Sequence, residues 1–236
     1  MPAKHKNVPT QANADALISI VPKLWPLAFV PMTILVVQRF GHDGANLLLG
    51  ALFLYLFIQK ADLKLRRLMI TLALFSGIFE TANVASGAYT YFGAVGSPLW
   101  ISLGWAILGW WFMQLKPAAE KISFNASFAG IAVVIAAASF FNHTLGLTTL
   151  IAIAGLYALG LAIRQPFALY AFTSLFAIIA EWSGTMGGIW GYFGLNHQAV
   201  PPDLAMLALA YSVVMAFSIW ISGFENPERP ILNDPT

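Results

Sequence analysis

The sequence predicts an all-α, polytopic integral membrane protein with about eight transmembrane helices in two parallel four-helix repeats. Of its 236 residues, 59% are apolar and only 9% are charged, whereas a soluble domain carries about 25% charged residues. Long apolar runs separated by short polar segments recur along the chain, as expected when lipid rather than water covers the surface. The segments 74–93 and 175–194 are also similar to each other, 101 positions apart, which indicates an internal repeat.

A membrane-spanning helix needs roughly 20 predominantly apolar residues. The candidate spans are 24–39, 45–58, 67–92, 98–115, 124–141, 145–163, 166–193 and 204–223. The runs are continuous, which favours helices over the alternating strands of a membrane barrel. The second run is short and is the first candidate for a half-span. The predicted organisation is a polar tail (1–23), a first repeat (24–123), a second repeat (124–223) and a second polar tail (224–236).

The distribution of positive charge predicts the orientation of these spans. With the N-terminus inside, eleven of the twelve Lys and Arg residues fall on inner segments, and only Arg39 lies outside. The first twenty residues have no apolar core of a signal peptide. We therefore expect both termini in the cytoplasm and the chain in a bacterial inner (cytoplasmic) membrane. An even number of helices per repeat makes the two halves parallel, related by an axis along the membrane normal.

Each copy of the repeat places a glutamate, Glu80 or Glu181, inside an apolar run. Ionisable groups within a membrane are costly and usually functional. On a continuous helix, positions i, i+7 and i+11 share one face. Two stripes are therefore predicted to face protein: Glu80, Gly87 and Tyr91, and Glu181, Gly188 and Tyr192.

The two glutamates are the candidate catalytic residues, since the repeat axis would let them face each other across a central cavity. Burial disfavours a charged carboxyl and a second carboxyl nearby disfavours it further, so we expect at least one to be protonated. The candidate substrate-binding residues are Asn83, Tyr89, Tyr91, Trp105, Trp182, Trp190 and Tyr192. Structural roles are the alternatives: neutral carboxyls that join helices, glycines for packing, tyrosines in an interfacial belt, and tryptophans in the core or, for Trp100 and Trp190, at the membrane interface.

Several classes of site are excluded by the residues present. The chain has no cysteine, and its four histidines lack the i, i+3 or i+4 partners of a helical metal site, so we predict no metal and no cofactor. No phosphate-binding glycine loop occurs. A net charge of +2 does not suggest nucleic acid. The expected partner is a membrane lipid or an isoprenoid substrate, and the oligomeric state is left open.

The motifs ETANVASGAYTYFG and EWSGTMGGIWGYFG, followed after the first copy by PLWISLGW, resemble motifs of small membrane carotenoid hydratases and related isoprenoid-modifying membrane proteins. The resemblance covers about forty residues in each half. It implies a long isoprenoid substrate, no metal, and Glu80 and Glu181 as proton donor and acceptor.

Three functions remain open from the sequence. The first is an enzyme, a lyase, hydratase or cyclase that performs acid–base chemistry on a hydrophobic isoprenoid or lipid. The second is a proton- or cation-coupled small transporter or channel, in which the glutamates bind the ion. The third is a non-catalytic subunit of a membrane complex.

Overall fold

The computed structural model describes residues 26–194 and 196–224. This part of the chain is mostly helical, which confirms the predicted helical class, and it contains seven helices and three short strands. The helices are α1 (Pro26–Tyr55), α2 (Leu63–Ala85), α3 (Leu99–Ala119), α4 (Phe124–Phe141), α5 (Leu147–Ala162), α6 (Phe167–Met186) and α7 (Leu204–Ile221). The strands are β1 (Tyr89–Tyr91), β2 (Trp190–Phe193) and β3 (Ala199–Val200). The predicted tail 1–23 lies outside the described residues, as does 225–236.

Five helical segments of the described chain are long and apolar enough to cross a membrane. They are Leu27–Lys60, Leu63–Ala85, Phe124–Phe141, Phe167–Met186 and Leu204–Ile221. Large apolar side chains also cover the outside of the helices; Leu47 and Phe141, for example, are more than three-quarters exposed. An exterior of this kind is compatible with a helical integral membrane protein.

The predicted eight helices in two four-helix repeats are wrong for the described chain, because the first two predicted spans are joined directly at a kink and form one element, α1. Residues on both sides of Gly41 are helical and no loop separates them, although Gly41 itself has φ 72° and ψ −177°. This backbone conformation suits glycine, which has no Cβ. The segment 41–43, predicted as a loop, is therefore a kink inside α1. A π-helical turn, Leu56–Lys60, extends the same helix.

The helices α2 and α6 also end earlier than predicted. The spans were expected to run to residues 92 and 193, but the helices stop at Ala85 and Met186. Gly87 (φ 76°) and Gly188 (φ 66°) adopt the left-handed conformation that closes a helix. The backbone N–H of Ala88 donates to the carbonyl of Asn83 at 3.1 Å, and that of Ile189 donates to the carbonyl of Gly184 at 2.9 Å. The two glycines thus terminate helices, and the predicted stripes that continued through them to the tyrosines are wrong.

Beyond these two turns the chain forms a small antiparallel sheet at one end of the helix bundle. The strands β1 and β2 pair with Thr90 opposite Gly191, and β3 lies on the other side of β2. In the same register Tyr89 lies opposite Tyr192, and Tyr91 lies opposite Trp190. The sheet therefore brings together the aromatic residues that follow α2 and α6.

The core of the bundle forms between α2 and α3 and between α6 and α7, which pack most closely, with α1 against α3 and α6. Leu72, Phe112 and Met215 are fully buried there. Three helices begin at side-chain caps, in which Asp62, Ser123 and Asp203 accept backbone N–H groups of the first turn. Such caps stabilise a helix by about 1 kcal/mol each.

Candidate functional site

Glu80 lies five residues before the end of α2 and is 6% exposed. Its Oε2 atom accepts hydrogen bonds from two phenols of β1, those of Tyr89 and Tyr91, the second at 2.8 Å. The turn at Gly87 ends α2 between Glu80 and the two tyrosines and folds β1 back towards the carboxyl. Both hydrogen bonds depend on this turn. The helix cap is thus part of how the site is built.

Glu181 occupies the corresponding place in α6, five residues before its end, and is 5% exposed. Its Oε2 accepts from the indole Nε1 of Trp190 at 3.0 Å and from the phenol of Tyr192 at 2.5 Å. Its other oxygen, Oε1, accepts from the phenol of Tyr211 in α7. In both motifs the strand donors follow the glutamate by nine and eleven residues.

Both carboxyls line one cavity of about 90 Å³. Six aromatic side chains in its wall carry a polar group: Tyr91, Trp100, Trp105, Trp111, Trp190 and Tyr211. Apolar residues of α1 and α3 complete the lining, which contains no Lys, Arg or His among the described residues. A cavity of this size accommodates a few ordered waters or a narrow part of an apolar chain. The arrangement places two acids in an aromatic, mainly apolar interior without a cation in its wall.

The phenols of the strands are held in their protonated form. Burial raises the pKa of Tyr91 well above its usual range, and the nearby Glu80 and Glu181 raise it further. Burial and then Glu181 raise the pKa of Tyr192 in the same way. Both residues are therefore hydrogen-bond donors at neutral pH, and their orientation towards the carboxyls is determined.

The structure brings most of the predicted site residues to the glutamates. Tyr89, Tyr91, Trp190 and Tyr192 donate hydrogen bonds to them, and Trp105 lines the cavity, where its ring packs on Tyr211 at 4.4 Å between centroids.

Two predicted binding residues lie elsewhere. The side chain of Asn83 donates to the carbonyl of Phe79 on its own helix, at 2.9 Å, and does not line the cavity. Trp182 is 57% exposed on the outside of α6. It follows Glu181 directly, so its side chain points about 100° away from the carboxyl.

Tyr211 and Trp100 are site residues that sequence reasoning missed. Tyr211 lies outside the repeated segments, and its position as a polar aromatic in an otherwise apolar run was the only available signal. Trp100 was assigned to the membrane interface, but it is 5% exposed and lines the cavity. Its indole Nε1 donates to Nδ1 of His42 at 3.1 Å, and His42 Nε2 lies 2.9 Å from the carbonyl of Phe92. With the indole as donor, Nδ1 of His42 is the acceptor, and Nε2 faces the carbonyl as a donor.

No group of three or more His, Asp or Glu residues that could hold a metal ion occurs within the described part of the chain. Comparison of the chain with family models, with curated proteins and with solved structures finds no match. The argument for a function therefore depends on the geometry around the two carboxyls.

Proposed function

We propose that the protein is an enzyme of the bacterial inner (cytoplasmic) membrane, with both termini in the cytoplasm. Its reaction is metal-independent acid–base chemistry, hydration or cyclisation, on a double bond of a hydrophobic isoprenoid. The observation that carries the proposal is the placement of Glu80 and Glu181 in one cavity lined by aromatic rings. The equal spacing of their strand donors supports the interpretation of the two motifs as copies of one unit.

The hydrogen bonds divide the roles between the two acids. Glu181 accepts three donors, distributed over both oxygens, and donors of this kind favour the carboxylate. Glu80 accepts hydrogen bonds from two phenols, and both donate to the same oxygen, Oε2. In the proposal Glu80 carries the transferable proton on Oε1 and acts as the acid, and Glu181 acts as the base.

The reaction then proceeds in two steps. The π electrons of the alkene form a C–H bond with the proton of Glu80, which leaves a carbocation on the neighbouring carbon and a carboxylate on Glu80. In a hydration, a water molecule forms the C–O bond while Glu181 takes one of its protons. In a cyclisation, a second double bond forms the C–C bond, and Glu181 removes a proton from the adjacent carbon. A proton then returns from Glu181 to Glu80 within the cavity they share.

The aromatic wall supplies the remaining requirement, which is stabilisation of positive charge in a mainly apolar site. A cation over the face of an indole or phenol ring is stabilised by about 0.5–2 kcal/mol for each ring. Trp105, Trp190 and Tyr211 are positioned in the lining for this role. The small volume suits one double-bond segment of an isoprenoid chain better than a hydrated solute.

The test is expression of the full chain in a host that produces linear isoprenoids, with analysis of its lipids by mass spectrometry. Glu80→Gln and Glu181→Gln keep the size of each side chain and remove its proton transfer, so we expect loss of the modified product by at least about 100-fold. Asp43→Asn is the control, because it also replaces a carboxyl by an amide and Asp43 is exposed and does not line the glutamate cavity. An unchanged isoprenoid profile in Gln variants that accumulate normally would refute the proposal.

The same variants separate the two other functions. Proton or cation flux into liposomes that disappears with either Gln variant would replace the enzyme by a channel or carrier. A stable copurifying protein, together with indifference to both substitutions, would indicate a non-catalytic subunit.

A further inference from the structure

A second recess lies at the opposite end of the bundle from the sheet, where α3 and α5 end and α4 and α6 begin. Its volume is about 630 Å³. Its lining includes the cations Lys116 and Arg164, the acid Glu120 and the amide of Gln165, beside the rings of Phe124 and Phe167. The proposed chemistry at the glutamate cavity uses none of these residues.

The polar groups of the recess are not satisfied within the described chain. No ion pair joins Lys116 or Arg164 to an acid there, and two cations face the one carboxyl in the lining. The Oε1 atom of Gln165 is shielded from solvent and accepts no hydrogen bond from the described residues. A buried acceptor without a donor is unfavourable, because it has lost its hydrogen bonds to water without replacement. The recess is therefore suited to a ligand that brings both an anion and a hydrogen-bond donor.

An apolar groove of about 220 Å³ continues from this recess along the outside of α4 and α6. Ile122 lines both the recess and the groove. Small residues form the floor of the groove, among them Ala126, Gly130 and Ala171, and Val134 lines its far part. From residue 122 to 134 a helix rises by about 18 Å, which is the reach of a substantial part of an acyl chain.

We propose that the recess and the groove together bind one anionic phospholipid with a hydroxylated headgroup, of which phosphatidylglycerol is the simplest. Its phosphate lies at Lys116 and Arg164, a headgroup hydroxyl donates to Gln165, and one acyl chain occupies the groove. The continuity of the charged recess with the apolar groove argues for an amphiphile rather than free phosphate. The orientation predicted from the positive residues places this recess on the cytoplasmic side, where anionic headgroups attract Lys and Arg.

The first experiment measures lipid binding to the detergent-purified full chain by native mass spectrometry. Phosphatidylglycerol and phosphatidylcholine with identical acyl chains are compared, and we expect a clear preference for phosphatidylglycerol. The double variant Lys116→Gln/Arg164→Gln should weaken phosphatidylglycerol binding about thirty-fold, since each cation near an anionic headgroup contributes several-fold. The control Lys60→Gln/Lys64→Gln removes the same charge from an exposed segment that lines neither the recess nor the groove and should retain the preference.

The second experiment tests the acyl chain. A Cβ at Gly130 has no atom within 4 Å, so Gly130→Leu can fill the groove without disturbing the fold. It should reduce binding of long-chain phosphatidylglycerol at least ten-fold and leave binding of its short-chain dihexanoyl form unchanged. Ala129→Leu adds the same bulk to the neighbouring exposed position, outside the groove, and should change neither.

Equal binding of the two phospholipids by the wild-type chain would overturn the inference. So would a Lys116→Gln/Arg164→Gln variant that loses no more than its control, or a Gly130→Leu variant that retains the long-chain lipid. Displacement of phosphatidylglycerol by a smaller molar amount of farnesyl diphosphate would also overturn it, because the occupant would then be an isoprenoid diphosphate.

Discussion

The substitution Gly184→Ala tests how the strand donors are positioned against Glu181. Gly184 lies in the last turn of α6, and a Cβ at this position would overlap three carbons of the Trp190 ring. The ring must therefore move in the variant. Its Nε1 then leaves the hydrogen bond to Oε2 of Glu181, which is 3.0 Å long in the wild-type chain.

The expected loss of stability combines three effects. Alanine favours the helix over glycine by up to about 1 kcal/mol. Overlap in a packed region costs about 1–3 kcal/mol, and loss of a hydrogen bond to a charged acceptor costs about 1.5–3 kcal/mol. The overlap and the lost hydrogen bond outweigh the gain, so we expect net destabilisation of about 2–4 kcal/mol. For a chain of this length each kcal/mol lowers Tm by about 2–4 °C, which predicts a decrease of about 5–15 °C.

Thermal unfolding in detergent, followed by circular dichroism, measures this change. Gly104→Ala is the matched control, because a Cβ there comes no closer than 3.9 Å to a side-chain atom of Leu49. We expect that variant to match the wild type or exceed it by about 1 kcal/mol. In the double variant with Trp190→Phe the Gly184→Ala effect should shrink, since the overlapping ring is gone. Strictly additive effects, or a Gly184→Ala Tm within 2 °C of the wild type, would refute the reasoning.

Three further predictions concern the turns, the phenols and the histidine. Gly188→Ala should cost about 1–2 kcal/mol, because φ is 66° while no atom lies within 4 Å of its Cβ position, and Gly188→Asn should recover part of this in chemical unfolding. The pKa of Tyr91 and of Tyr192 is raised by folding, so the contribution of these two phenols to stability should be constant below about pH 10 and decrease above it, where the unfolded phenols ionise; a Tyr91→Phe/Tyr192→Phe variant with the same alkaline decrease would contradict this. His42→Ala removes the acceptor of the Trp100 indole N–H and should lower the free energy of unfolding by about 1–3 kcal/mol, with a changed near-ultraviolet Trp signal as the specific readout.

The main features of the site were predictable from the similarity between segments 74–93 and 175–194. A carboxyl within an apolar run identified Glu80 and Glu181, and the aromatic residues repeated after each of them included four of the five hydrogen-bond donors. What sequence reasoning could not place was the end of the helix. Gly87 and Gly188 were assigned to helix packing, whereas their left-handed backbone closes the helix and returns the strand to the carboxyl.

The remaining errors have a common physical origin in contacts between distant segments. Tyr211 contacts Glu181 from another helix, thirty positions along the chain. Helical periodicity relates only residues that are close in sequence, so it cannot predict such a contact. Trp100 looked like an interfacial anchor because its partner, His42, follows a kink in α1 that was predicted as a loop. The exposure of Trp182 was the exception, since helical geometry already places neighbouring side chains about 100° apart.

The differences between the two motifs explain how similar segments can hold acids with different roles. The counterpart of Trp190 is Tyr89, and the counterpart of Gly184 is Asn83. An indole occupies more space than a phenol, and the ring of Trp190 lies where a Cβ at position 184 would be. Tryptophan at position 190 therefore requires glycine at position 184, in the last turn of α6. In the first motif, where the donor is a phenol, a side chain stands at that position. The second carboxyl thereby has an indole N–H and, from α7, the phenol of Tyr211 as well, and in the proposed reaction this unequal supply of donors would separate the proton acceptor from the proton donor.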